Sequence, residues 1–301
     1  MHLQKRYKRQ ILHAHTLMTA ARWTSPSPKN CIPQSLNRQA LGLQRRRHNL
    51  RWLFIRIAWE NSDMPLNDHP PRTAWKDFPD VLLHASESAV KQHLAYQAAK
   101  AGNGAAATTL VNDTMSEQQN INLANLLRGY TPILVSAHAY EKEGVNAIPE
   151  NFAVEISKAL GWPHDLGVTQ INVVGHTGAD GFARLARQAE FAGVVQAGCD
   201  YVLVDDFVGM GGTLANLKGY IQANGGRVLA AVCLTGKPHS AKLALSALRL
   251  SELRKKHGTE LENWWIRRFA HAFDALTESE ARYLARTEAA DTVRNRIVAA
   301  K

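Results

Sequence analysis

The chain predicts an α/β fold, a mainly parallel sheet flanked by helices, with helical additions at its N- and C-terminal ends. Three observations predict it. Tyr201 to Val204 is an uninterrupted apolar run of the length that suits a strand buried on both faces of a parallel sheet. Gly209, Gly211 and Gly212 follow, then a helical pattern from Leu214 to Ala223 with Thr213 as N-cap and Gly225 and Gly226 as a left-handed stop. A second apolar strand, Arg227 to Leu234, completes strand, turn, helix and strand, a βαβ unit.

The other elements follow in order. Met64 to Lys76 is Pro-rich and predicts an extended lead-in. Ser86 to Ala101 predicts a helix with Val90, Leu94, Ala98 and Ala101 near one face; AGNGAAA at Ala101 to Ala107 breaks it, and Ser116 to Leu127 predicts the next helix. Pro132 to Val135 predicts a buried strand, and Pro149 in the first turn suits a helix to Leu160, ended by Gly161 and Pro163. Ile171 to Val174 predicts a third strand, followed by GHTGADG at Gly175 to Gly181, whose three glycines predict a mobile loop. From Ala241 onward the pattern is helical. Thr259 with Glu262 and Thr277 with Glu280 match the capping box. Trp264, Trp265, Phe269 and Phe273 form an aromatic face, read as core or as the interface of a homodimer.

The net charge of the chain is +10, and its location decides what it means. Residues 1–63 hold 12 Lys or Arg against Glu60 and Asp63, so the remainder, with 24 of each sign, is neutral. The basic balance therefore describes a tail, with KRYKR at Lys5 to Arg9, and its confinement there argues against nucleic acid as a partner of the body. WLFIRIA, Trp52 to Ala58, is too short and too charged to span a membrane. Cys31, Cys199 and Cys233 are far apart, without a CxxC pair or a His at metal-ligand spacing, and fit a cytoplasmic location.

The chemistry concentrates at the turn of the βαβ unit, where ligands bind in such folds. Asp205 and Asp206 follow the strand, and the glycine loop leads into a helix start whose free N–H groups and dipole suit a phosphate. Paired carboxylates beside it suit sugar hydroxyls or a hydrated Mg²⁺. A Walker A loop is excluded because GK followed by Ser or Thr occurs nowhere, and the dinucleotide fingerprint needs a glycine where Leu214 stands.

VLVDDFVGMGGTL resembles the signature by which type I phosphoribosyltransferases bind phosphoribosyl pyrophosphate (PRPP), and the resemblance extends more weakly from about Pro132 to Gly236. It implies a phosphoribosyltransferase-like core at 132–236, with a helical lead-in or hood at 64–131 and C-terminal helices at 237–301, while the composition of 1–63 predicts a basic, disordered tail. Asp205 and Asp206 would then hold the ribose hydroxyls and, through water, Mg²⁺, and Gly209, Met210, Gly211, Gly212 and Thr213 would cradle the 5′-phosphate. The family often carries hydroxyl residues where Gly209 and Met210 stand. The loop after the first core strand would meet pyrophosphate, with Ser136, Ala137, His138 and Lys142 as candidates; Lys142, between Glu141 and Glu143, also suits a solvated charge. In the glycine-rich loop region His176, Arg184 and Arg187 are placed to meet departing pyrophosphate, the alternative being a plain helix from Phe182 to Ala189 with its arginines in solvent. Lys237 and His239, after the last core strand, are candidates for base recognition.

The resemblance implies transfer of a phosphoribosyl group from PRPP to a nitrogenous base, or, on the same fold, a PRPP or nucleotide sensor without turnover. Because the tail holds all the net charge, a chain beginning at Met64 is expected to melt with the full chain. A large fall in melting temperature on that truncation would show that the tail packs on the rest.

Overall fold

The computed structural model describes residues 72–137, 140–141, 144–172 and 180–300. The tail, His138, Lys142 and the loop with His176 lie outside the described residues. The elements are β1 (Leu82–Leu83), α1 (Glu87–Lys91), α2 (Tyr96–Lys100), α3 (Gly104–Thr114), α4 (Glu117–Leu126), β2 (Ile133–Ser136), β3 (Tyr140–Glu141) and β4 (Gly144–Val145). They continue with α5 (Ile148–Leu160), β5 (His164–Asp165), β6 (Thr169–Gln170), α6 (Gly181–Ala186), β7 (Phe191–Ala192), β8 (Asp200–Val208), α7 (Gly212–Ala223) and β9 (Arg227–Gly236). The helices α8 (Ala247–Phe269), α9 (Glu278–Ala285) and α10 (Ala290–Ala299) follow.

Five strands form one parallel sheet in the order β1-β9-β8-β2-β5. The chain runs from β2 outward to β5 and returns to β8 on the other side of β2, so strand order reverses between β2 and β8. In open α/β sheets the crevice at such a reversal, beyond the carboxyl ends of the strands, is where ligands bind. Alternate residues of the central strands feed two cores. Tyr201 and Leu203 pack with α7 and Trp75, whereas Val202 and Val204 pack with Leu110, Phe152 and Ile156 of α3 and α5. Burial on both faces is why these strands read as continuous apolar runs. A third cluster, centred on Trp265, Phe269 and Phe273, joins α8 to α9, α10 and α6, so the aromatic face is core.

Several expected elements differ. Ser86 caps a helix as its position suggests, but the pattern to Ala101 is divided into α1 and α2. His93 interrupts it: its ring accepts the Ala95 N–H, and Leu94 stands in solvent. The break after Ala101 lasts three residues, because Asn103 caps α3 by accepting the Ala106 N–H. The strand beyond β2 at that edge of the sheet is β5. Ile171, the first residue of the expected third strand, is exposed and in no strand, and β6 just before it pairs antiparallel with β7 away from the main sheet. Strand β8 runs past the two acids to Val208, and α7 is capped by Gly211 at φ +83°, leaving Thr213 in the first turn. Thr277 and Glu280 form the reciprocal capping box. Thr259 and Glu262 do not: α8 kinks at Gly258, and Glu262 accepts from Arg254 and the Phe273 N–H.

The lead-in is strapped to α7 and α9. Arg72 donates to Asn216 (2.6 Å) and to Glu280 (2.7 Å), both ends of the latter pair being buried. Lys218 donates to the carbonyls of Thr73 and Ala74, and its ammonium lies 4.9 Å from the Trp75 ring centre. Trp75 is 3% exposed. Trp75→Ala is therefore expected to destabilise the fold by about 3–5 kcal/mol in chemical denaturation, and an unchanged midpoint would show that the strap carries no stability.

Burial also shapes the response to acid. His84, packed edge-on to Phe152, is pushed down to about 4 by burial, and His271 to about 3 by burial and the nearby Arg72 charge. Both stay neutral in the folded protein while the unfolded chain takes up protons near pH 6.5. Their contribution is thus complete above about pH 6.5 and declines as pH falls from there toward about 4 and 3. Melting temperature is expected to fall between about pH 6.5 and 4.5, and His84→Phe, which keeps the ring packing, should flatten that slope. An unchanged slope would assign the acid sensitivity elsewhere.

Candidate functional site

At the end of β8 the backbone is still in the ladder: Asp205 faces Cys233, Phe207 faces Thr235 and Val208 faces Gly236 across to β9. Both acids are therefore held by strand geometry and are buried, at 7% and 9% exposure. Asp206 is directed to the α2 side. Its Oδ2 accepts from Lys100 Nζ at 3.0 Å and from Asn146 Nδ2 at 3.1 Å. Burial works against ionisation of Asp206, but the Lys100 charge and the bonds from Lys100 and Asn146 outweigh it and hold the carboxyl below the usual range. Asp205 accepts the Asp206 N–H at 2.8 Å. Its carboxyl is pushed well above the usual range, first by burial and then by the charge of Asp206. The same burial, with the two acids, raises the Cys233 thiol. The two carboxyls stand side by side where the strand ends, with their affinities for a proton shifted in opposite directions.

Asp206 is engaged by Lys100 and Asn146, and among the described residues no group of three or more His, Cys, Asp or Glu could hold a metal ion directly.

The glycines after β8 have two faces. A Cβ at Gly211 would stand 2.5 Å from Leu243 Cδ2, and one at Gly212 would stand 2.9 Å from Glu280 Oε1. Thr277 Oγ1 donates to the Met210 carbonyl at 2.6 Å, and Arg72 reaches the Gly212 carbonyl at 3.4 Å. These glycines thus also allow close packing of the C-terminal region, beyond the sharp turn and the approach to a ligand that the sequence suggests. Gly209 and Met210 look the other way, into a pocket of about 450 Å³. A Cβ on Gly209 would be 3.3 Å from Arg184 Nη1.

The remaining sequence candidates divide in the same manner. Arg184, Lys237 and His239 line this pocket; Arg187, the C-cap of α6, is exposed and does not. Ser136 and Ala137 are buried where β2 ends, and Ala137 gives its N–H to the Val204 carbonyl, which places both beside β8 across the crevice. The acids do not line the pocket, whose walls include Phe207 at the end of β8 and Lys237 and His239 just after β9.

No protein-family model matches the chain. It is 36% identical over 230 residues to Protein TraN of Escherichia coli, a match covering 76% of this chain and 51% of that protein. The chain thus spans about half the length of this relative. Among solved structures it is similar to an adenine phosphoribosyltransferase, at 14% identity and a TM-score of 0.31 over 44% of this chain and 71% of that one. A purine phosphoribosyltransferase from Pyrococcus horikoshii aligns at 23% identity and a TM-score of 0.27, over 40% of this chain and 72% of that one. Scores this low do not establish a shared fold.

Sequence reasoning missed Lys100 and Asn146, which neutralise Asp206, and Lys91, Arg282, Tyr283 and Arg286, which line the pocket. Lys100 closes a helix and Asn146 precedes one, so neither stands out until the fold is built. Lys100→Met is expected to destabilise the protein by about 3 kcal/mol, because it strands a buried carboxylate. Asp206→Asn added to it should recover most of that loss. Equal loss in single and double variants would show that Lys100 stabilises by packing alone.

Proposed function

We propose that this chain binds PRPP at the carboxyl end of β8 and transfers its phosphoribosyl group to a nitrogenous base. One observation carries the reading: the VLVDDFVGMGGTL stretch lies beside the point where strand order reverses, with its acids and its glycine loop on one strand end and a cationic pocket opening at Gly209 and Met210. In this reading the loop from Gly209 to Thr213 takes the 5′-phosphate, and Asp205 and Asp206 take the ribose hydroxyls. The C1′–O bond breaks with its electron pair leaving on pyrophosphate, a base nitrogen forms the new bond to C1′, and the base gives up a proton. Oxocarbenium character at C1′ then calls for a fixed ribose and exclusion of water. Ser136, Ala137, His138 and Lys142 would face pyrophosphate in the crevice, and His176 and Arg187 would close on it. Mg²⁺ would come on the oxygens of PRPP itself, the acids contacting it through water at most.

A second reading, a PRPP sensor without turnover, is favoured by the closure of the acid pair. With Asp206 paired to Lys100 and both carboxyls buried, ribose binding requires that pair to open.

PRPP is expected to raise the melting temperature, more with Mg²⁺ than without, since a ligand of the native state stabilises it by mass action. No shift at millimolar PRPP would overturn both readings. With binding established, pyrophosphate release on addition of purine or pyrimidine bases supports transfer, and its absence across all of them supports the sensor.

A further inference from the structure

Gly209, Met210, Gly211 and Gly212 bear no side-chain donor, so over these positions the loop offers a ligand backbone N–H groups alone. The direction in which each peptide faces then decides whether a donor or an acceptor meets an anion. A trans peptide is planar and carries its C=O and its N–H on opposite edges, and the described residues contain no cis peptide bond. One peptide of the loop is fixed from outside. Thr277 Oγ1 donates to the Met210 carbonyl at 2.6 Å, and with that carbonyl turned toward the start of α9 the Gly211 N–H points the other way, out of the C-terminal wall. Gly211 stands at φ +83°, and a residue without a side chain crosses to negative φ at little cost. Nothing in the glycine itself keeps this peptide from turning over. A turned peptide would set an oxygen where an anion needs a donor.

The lock is itself held in place. Thr277 is 0% exposed, and its hydroxyl accepts the Glu280 N–H at 3.1 Å while its proton goes to Met210. Glu280 Oε2 accepts the Thr277 N–H at 2.9 Å and the Arg72 guanidinium at 2.7 Å. Buried ion pairs are weak sources of net stability, and their best-attested use is to fix a register. Arg72 and Glu280 fix the start of α9, from which Thr277 reaches the loop.

We propose that Thr277 is a positioning residue of the glycine loop: its hydroxyl locks the Met210–Gly211 peptide with the N–H outward, the orientation that receives an anionic group. The side chain is buried and acts through the peptide it holds. Its role toward PRPP rests on the function proposed above; the lock on the peptide does not.

The test compares Thr277→Val, which keeps the shape and loses the hydroxyl, with Thr277→Ser, which keeps the hydroxyl, and with Ser116→Ala, which removes a side-chain helix cap from α4. The last of these reads the effect of losing a cap alone. Amide nitrogen relaxation by NMR on the ligand-free full chain is expected to show new motion at Gly211 in Thr277→Val and none in the other two. PRPP binding, followed by isothermal titration calorimetry, should weaken about fivefold in Thr277→Val and be unchanged in the other two, as the loss of one neutral hydrogen bond implies. Arg72→Lys keeps a charge for Glu280 but not the fork that also reaches Asn216. It should loosen Gly211 in the same sense, and it decides the matter if Thr277→Val does not fold. An equally rigid Gly211 in Thr277→Val, motion shared by Ser116→Ala, or unweakened PRPP binding would overturn the proposal. If the unaltered chain binds no PRPP, the function proposed above falls, and the relaxation comparison alone decides whether Thr277 locks the peptide.

Discussion

Two adjacent carboxylates at the end of a central strand are the constraint around which the structure is arranged. An ionised carboxylate in the interior is penalised by several kcal/mol unless it is paired and hydrogen-bonded. Asp206 meets that condition through Lys100 and Asn146, which reach it from the end of α2 and from the residue two before α5. Those two segments must then be held over the same face of β8. The apolar faces of α3 and α5 do so, packing Leu110, Phe152 and Ile156 on Val202 and Val204. Asp205 is left to burial and to the charge of its neighbour, so the two acids of one strand are shifted in opposite directions.

The opposite face of the site is built by the C-terminal helices. Thr277 closes its capping box with Glu280, donates to Met210, and brings Glu280 beside Gly212, where Arg72 neutralises it. A loop that could adopt many conformations is thereby held from behind, with Gly209 and Met210 left facing the pocket. Loops fixed before a ligand arrives lose less entropy on binding it. Arg72 ties this arrangement to the lead-in, since the same guanidinium also bonds Asn216 of α7.

Much of this was legible from the sequence wherever signals are local. The β8, α7 and β9 unit could be read because Tyr201 to Val204 and Val228 to Leu234 are buried on both faces, and because Gly211 and Gly225 need positive φ. Outer strand β5 could not, since His164–Asp165 has no apolar run and is recruited by its neighbour β2. The split between α1 and α2 depends on the ring of His93, and periodicity does not register a side chain that competes with the backbone. The site divides along the same line. Asp205, Asp206 and the glycines stand in one short window, whereas Lys91 ends α1, Arg282 and Arg286 stand in and at the end of α9, and the two groups meet only through tertiary packing. A capping box marks where α9 begins but not what it faces.

Amide hydrogen exchange with and without PRPP tests the central claim most directly, because it reads the loop itself. PRPP is predicted to slow exchange at Gly209 to Thr213 and at Ala137, beside the crevice, while the distant α10 is unchanged. PRPP-dependent protection confined to other segments, with these amides unaffected, would contradict the account.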